Sequence, residues 1–445
     1  MRMNCWILES KEYPMADTTT SETKKSDSLR MQYWSLVKLP SFLVFLGGRI
    51  ISSMGDMLFQ IATMWYVLER TNSPLSAAVV PVIPLVTSIV LSQPLATVAD
   101  RMPKKMVMVL SDVMRGAVVL GVATAIALND GNRFLIYLAV FLLTCNGFLF
   151  GPAQNAVLPK ILPNADLQLT IANSLLRAVS QLIALVGYAV GGILVAMMQP
   201  RGAIIADGIS FFISAASISV LSIPLMRAAG RKGAWGFLRD SFAGLQFVLK
   251  NPSIRTFALF VGFINFSGGP VGILTAVFSR SVLHAGLRGY GYLEAAFALG
   301  GMLGAIVSSW ASRKLTLWQL SLIALVGSGA AIASLPIARN LPEAIVALIF
   351  SSLVTAMMSI PVFTTLQLLA PNEIRGRVMA GFILFANLGD PLGLLLGSWL
   401  MGKASPSSVF VASGMLLILC GFLSLFIPSI RMGMIRENTH ELPSC

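Results

Sequence analysis

Apolar runs of about twenty residues, separated by short polar stretches, recur along nearly the whole 445-residue chain. A run of that length crosses a bilayer as one α-helix, since each residue advances about 1.5 Å and the hydrocarbon is about 30 Å thick. The runs fall near 42–68, 75–98, 107–128, 133–156, 169–198, 203–225, 255–280, 290–311, 315–337, 341–367, 377–402 and 407–430. Twelve such runs predict an all-α, polytopic membrane protein. Residues 1–40 are polar, rich in Ser, Thr and Lys, and lack the short apolar core and cleavage site of a signal peptide; they read as a disordered tail. Two sets of six helices (41–225 and 254–430) flank a polar connection (226–253), and a tail closes the chain (431–445). Within the connection, Leu238, Phe242, Leu245 and Leu249 recur at helical spacing around Arg239 and Asp240, which predicts an amphipathic helix lying on the membrane surface.

Composition agrees with the pattern. The chain is 56% hydrophobic and 11% charged, where a soluble domain carries about 25% charge. Its net charge of +13 is dispersed among short loops, so the expected partner is the lipid bilayer and not nucleic acid. With both termini on one side, 22 Lys and Arg fall on that side against seven on the other. Cytoplasmic loops carry such an excess, so both termini are expected in the cytoplasm. The four cysteines show no metal spacing, and two histidines, His284 and His440, leave no zinc site or catalytic triad. No enzyme signal emerges, and no cofactor or metal is expected.

Charges inside the apolar runs cost about 2.5–3.5 kcal/mol each on insertion scales, so each needs a reason. In the first run Arg49, Ser53, Asp56 and Gln60 fall on one helical stripe, which is expected to line a cavity. Seven residues rise about 10.5 Å, too far for Arg49 to pair directly with Asp56. Asp56 is therefore a candidate to bind a cation or a proton; its bland alternative is an Arg–Asp contact that only holds helices together. Glu294, near the outer end of the eighth run, and Asp390, in Gly389-Asp390-Pro391, are the other candidates for proton coupling. A carboxylate beside a helix-interrupting Gly and Pro finds free backbone donors and water. Glu294 reads equally well as an outer-face anchor. Arg177, with Gln181 one turn on, is a candidate cavity residue for an anionic group or a buried acid. Asp112 with Arg115, and Asp207, read as local pairings nearer helix ends.

One stretch between the second and third runs, Ala96-Thr-Val-Ala-Asp100-Arg101-Met-Pro103-Lys104-Lys105, resembles the loop between helices two and three of major facilitator superfamily transporters. Pro163-Asn164 recurs 208 residues on as Pro371-Asn372, as expected of two parallel six-helix repeats. Ser53-x-Gly55-Asp56, Thr71-Asn72-Ser73, Asp112-x-x-Arg115, Gly151-Pro152-Ala153, Asp207-x-x-Ser210-Phe211 and Arg375-Gly376-Arg377-Val378-Met379 are similar to the macrolide-efflux and siderophore-exporter branch of that superfamily. Gly187-Tyr188-x-x-Gly191-Gly192 resembles an element on helix five of antiporters, with Tyr188 in place of a proline; small residues there also serve close helix packing.

The resemblance implies two six-helix bundles in the bacterial cytoplasmic (inner) membrane and a monomer that exports amphipathic, drug- or macrolide-like small molecules. Proton antiport, with a proton gradient and no cofactor, would drive it. It also implies a cytoplasmic gate formed by Asp100, Arg101, Lys104 and Lys105 with Arg375 or Arg377 at the start of helix eleven. The alternatives are export of a siderophore or other metabolite, or a lysophospholipid flippase, for which Arg49 and Arg177 would face an anion. A transporter-like sensor that moves nothing is a further alternative, disfavoured by the short polar tails.

Overall fold

The computed structural model describes residue 36 and residues 38–128, 132–163, 165–222, 245–370 and 374–427. Among them, twelve helices are long and apolar enough to cross a membrane, and no strand occurs. In chain order these are α1 (Pro40–Thr71), α2 (Pro74–Arg101), α3 (Lys104–Ala127), α4 (Arg133–Val157), α5 (165–198) and α6 (200–220). The second set is α7 (Pro252–Ser281), α8 (Gly286–Lys314), α9 (Leu317–Ser334), α10 (Leu341–Leu369), α11 (Arg375–Asn387 continued by Gly389–Met401) and α12 (Pro406–Leu423). Each coincides with an apolar run read from the sequence. The expected first tail lies outside the described residues apart from its end, and the closing tail lies outside altogether. Of the expected surface helix only 245–250 is described, and it is helical; Leu238 and Phe242 lie outside the described residues.

The ends of these helices follow local chemistry. Asn251 Oδ1 accepts from the Ser253 and Ile254 N–H groups at 3.1 and 3.2 Å, and Asn340 Oδ1 from Glu343 N–H at 3.0 Å, satisfying first-turn donors. Thr316 and Gln319 form a capping box at α9. Between α5 and α6 there is no loop: Gln199 alone turns the chain, at φ 60° and ψ 161°. The following Pro200 bars its predecessor from the helical region and suits the first position of the new helix. Asn72 and His284 make the α1–α2 and α7–α8 turns in the left-handed region, at φ 47° and 50°.

The two bundles repeat one packing scheme. In the first, α2 packs on α4, α3 on α6, and α1 on the α5–α6 pair; six helices later α8 packs on α10, α9 on α12 and α7 on α11. The bundles meet through α5 against α8 and α2 against the second segment of α11, pairs that exchange under the six-helix offset. This is the pseudo-symmetric construction of a two-repeat membrane protein.

The meeting is confined to one face. Call the face carrying the 102–103 turn the basic-turn face. On the opposite face, Gly192 of α5 lies so close to Gly291 of α8 that a Cβ on either would collide with the other's backbone. Trp65 of α1 and Tyr290 of α8 stack there at 6.3 Å, and one buried core joins both bundles. At the basic-turn face the first bundle has a core of its own, built on Phe42, Phe45, Met108, Phe150 and Leu158. Lipid tails are as apolar as leucine, so close backbone approach and not hydrophobic burial holds helices together here. Gly291→Leu should therefore force α5 and α8 apart at a cost of about 1–3 kcal/mol. The expected result is a lower unfolding midpoint of the purified protein in detergent; an unchanged midpoint would show that the glycine contact carries no packing energy.

Candidate functional site

Toward the basic-turn face lies a cavity whose lining residues all belong to the first bundle. Arg49 and Ser53 of α1 line this cavity, of about 420 Å³, with Arg177 and Gln181 of α5 and with Gln154 and Asn155 at the end of α4. Two arginines and several amide and hydroxyl groups line it, and among the described residues no acidic one does. Arg49 holds its guanidinium 5.0 Å over the Phe150 ring, a cation–π contact that steadies the charge.

A second cavity of about 280 Å³ lies deeper, beneath the closed face, and takes its walls from both bundles. Gln60 and Tyr188 come from the first bundle; Thr275, Tyr290, Glu294 and Asp390 come from the second. Thr275 Oγ1 stands 2.9 Å from Glu294 Oε1, and Tyr188 OH donates to Gln60 Oε1 at 3.4 Å. Asp390 occupies the first turn of the second α11 segment, where a helix N-terminus favours a carboxylate. Gly269, at the break in α7, leaves room for its backbone and Oδ1. The stripe on α1 thus runs from one cavity to the other: Arg49 and Ser53 face the open one and Gln60 the closed one.

Asp56, between them on the stripe, has no hydrogen bond or ion pair among the described residues. Its charged neighbours are Arg49, Arg115, Asp112 and Asp207. Arg115 lies between the Phe150 and Phe211 rings, 5.2 and 5.4 Å from their centres, and pairs with Asp112 at 3.6 Å. Asp112 also accepts from Ser214 Oγ of α6 at 2.7 Å. Gly147 of α4 leaves space for the Arg115 guanidinium, and Gly55 of α1 leaves space for Asp207 Oδ1 and Ser210 Oγ. Asp112 and Asp207 are 0% and 1% exposed, so the reading of both as local pairings near helix ends is too modest. The i,i+3 pairing of Asp112 with Arg115 exists, but it forms part of a group reaching across α1, α3 and α6. The shared face becomes visible only when three helices distant in sequence are laid side by side.

The basic turn is engaged within its own bundle. Lys104 Nζ donates to Asp100 Oδ1 at 2.8 Å and to Ala99 O at 2.9 Å; Lys105 Nζ donates to Ser219 O and Leu221 O at 2.7 Å, closing the end of α6. Arg101 is exposed. Arg375 is exposed at the start of α11, and Arg377 follows it there with a side chain outside the described residues.

On the closed face the sequence reading passed over a latch. Arg280, at the end of α7, donates through Nη1 to Leu68 O at 3.0 Å and through Nη2 to Asn72 Oδ1 at 2.8 Å. It ties the second bundle to the α1–α2 turn of the first. Its trace in the sequence is Thr71-Asn72-Ser73, the turn that Arg280 reaches. Two partly exposed hydrogen bonds contribute about 1 kcal/mol net, roughly a fivefold shift in an equilibrium. Arg280→Ala should accordingly raise, several-fold, the reaction of a cysteine at Gln60 with an impermeant thiol reagent applied to that face, in a background lacking the native cysteines. An unaltered rate would remove Arg280 from the closure.

Comparison with known proteins adds the following. A family model described as Major Facilitator Superfamily matches residues 45–390. The chain is 25% identical over 396 residues to the multidrug efflux pump Tap of Mycolicibacterium fortuitum, a match covering 87% of this chain and 96% of that one. It is 21% identical over 411 residues to macrolide efflux protein A of Streptococcus pyogenes, covering 90% and 99%. A crystal structure of a bacterial homologue of the iron transporter ferroportin, in an inward-facing state, superposes with a TM-score of 0.68 at 15% identity and covers 87% of this chain and 98% of that one.

Proposed function

The chain belongs to the major facilitator superfamily, and from that premise we propose that it exports amphipathic, drug- or macrolide-like small molecules across the bacterial cytoplasmic membrane by proton antiport. The observation that carries the reading is the one-sided contact between the bundles: Gly192 against Gly291 and Arg280 against Asn72 on one face, separate cores on the other. Closure restricted to one face is one of the two states that alternating access requires. The excess of Lys and Arg on the basic-turn face supports a cytoplasmic location for the open side and for both termini. The likeness to drug-efflux relatives over nearly the whole chain supports export.

In this mechanism substrate enters from the cytoplasm or inner leaflet beside Arg49 and Arg177 and reaches the deeper cavity at Gln60. Protons arriving from outside at Glu294, Asp390 or Asp56 then favour its release and reset the transporter. Asp100, paired here with Lys104, turns to the start of α11 near Arg375 and Arg377 when the cytoplasmic side closes. One chain holds both bundles and works as a monomer.

A second reading has its own observation: the open cavity carries two arginines and no acid among its lining residues. That lining suits an anionic amphiphile, such as a siderophore or a lysophospholipid, as well as a neutral macrolide.

Everted vesicles with an imposed pH gradient, challenged with macrolides, cationic dyes and siderophores, test both readings. Collapse of the gradient by one compound, absent from vesicles lacking the protein, is the expected result and names the substrate class. Asp56→Asn should reduce that signal to the background of empty vesicles while the protein stays in the membrane; a wild-type signal from this variant would take Asp56 out of the coupling. No response to any compound, with protein present, would count against proton-coupled drug export.

A further inference from the structure

The group around Asp56 contains more acid than base. Asp56 and Arg49 reach it from α1, Asp112 and Arg115 from α3, and Asp207 from α6; α4 contributes Phe150 and the space at Gly147. Glu294, on the neighbouring bundle, faces Tyr188 and Tyr290 instead. Three carboxyls therefore face two guanidiniums inside the bilayer, where an uncompensated charge is costly. Two of the carboxyls also have a buried oxygen with no hydrogen-bond partner, Asp112 Oδ1 and Asp207 Oδ2. Asp112 Oδ1 still meets Arg115 at 3.6 Å, whereas Asp207 Oδ2 has neither a hydrogen bond nor an ion pair among the described residues. A proton balances the charge, and a neutral carboxyl left without a partner costs far less in the hydrocarbon than an ionised one. A metal ion fits poorly, since among the described residues no three His, Cys, Asp or Glu side chains converge closely enough to hold one.

We propose that the group of Asp56, Asp112 and Asp207, set against Arg49 and Arg115, carries one exchangeable proton, with Asp207 its principal holder. Arg49 is the member that also lines the open cavity, so it connects substrate to proton. A cationic headgroup reaching Arg49 would add positive potential and loosen the proton, the sign antiport needs; an anionic headgroup, which the two arginines of the cavity suit better, would tighten it. The proposal deepens the antiport reading, and its use in transport rests on that reading, whereas the stored proton itself does not.

Infrared difference spectroscopy of the purified full chain near neutral pH, without substrate, reads protonated carboxyls directly. With Glu294→Gln and Asp390→Asn as background, one protonated-carboxyl band is expected. Asp207→Asn leaves two acids against two arginines and should abolish it. Asp56→Asn makes the same change in charge at a side chain that has no hydrogen bond to lose, and so serves if Asp207→Asn does not fold. Arg115→Gln should double the band, because a second proton is then needed for neutrality. A background protein without the band, or a band surviving both Asp→Asn changes, would overturn the proposal. Silence in the vesicle assay with the band present would overturn antiport and leave the stored proton standing.

Discussion

The approach of Gly192 to Gly291 governs how the two bundles stand to each other. With no side chain at either position, α5 and α8 come into backbone contact on one face. Arg280 spans the same face to Leu68 and Asn72, and Tyr290 stacks on Trp65. At the basic-turn face the first bundle instead keeps a core of its own around Phe42 and Met108, and the cavity at Arg49 and Arg177 is lined by that bundle.

A second constraint acts within the first bundle. A charge in the hydrocarbon must find partners inside the protein, and here five ionisable side chains from three helices gather in one group. Aromatic faces complete the arrangement: Phe150 lies under both Arg49 and Arg115, and Phe211 lies on the other side of Arg115. Gly55 and Gly147 are small because an acid and a guanidinium occupy the space beside them. The group stands between the open cavity, which Arg49 lines, and the closed one, which Gln60 lines four residues beyond Asp56 on the same helix.

The fold was largely legible because the bilayer imposes it. Each span is an apolar run of fixed length, and breaks at Gln199-Pro200 and Gly389-Asp390-Pro391 fall where proline and glycine predict them. The stripe of Arg49, Ser53, Asp56 and Gln60 was also legible, since one helix sets its phase. What stayed hidden depends on contacts between helices far apart in sequence. Asp207 cannot be seen beside Asp56 without α6 laid against Gly55, and Arg280 looks like one more loop charge until the α1–α2 turn is beside it. Lys104 and Lys105, expected in a cytoplasmic gate, close the ends of α2 and α6 in this state. Sequence gives no sign of which conformational state a side chain serves.

The central claim is that closure on one face and opening on the other are two ends of one motion. Spin labels at Lys160 and Arg375 report across the basic-turn face, and labels at Arg70 and Arg288 across the opposite face, in a chain whose Cys5, Cys145, Cys420 and Cys445 have been replaced. All four label sites are exposed. Distances measured by pulsed electron resonance over a range of pH should change in opposite senses, the first pair shortening as the second lengthens. Two pairs that stay fixed, or that lengthen together, would contradict the account.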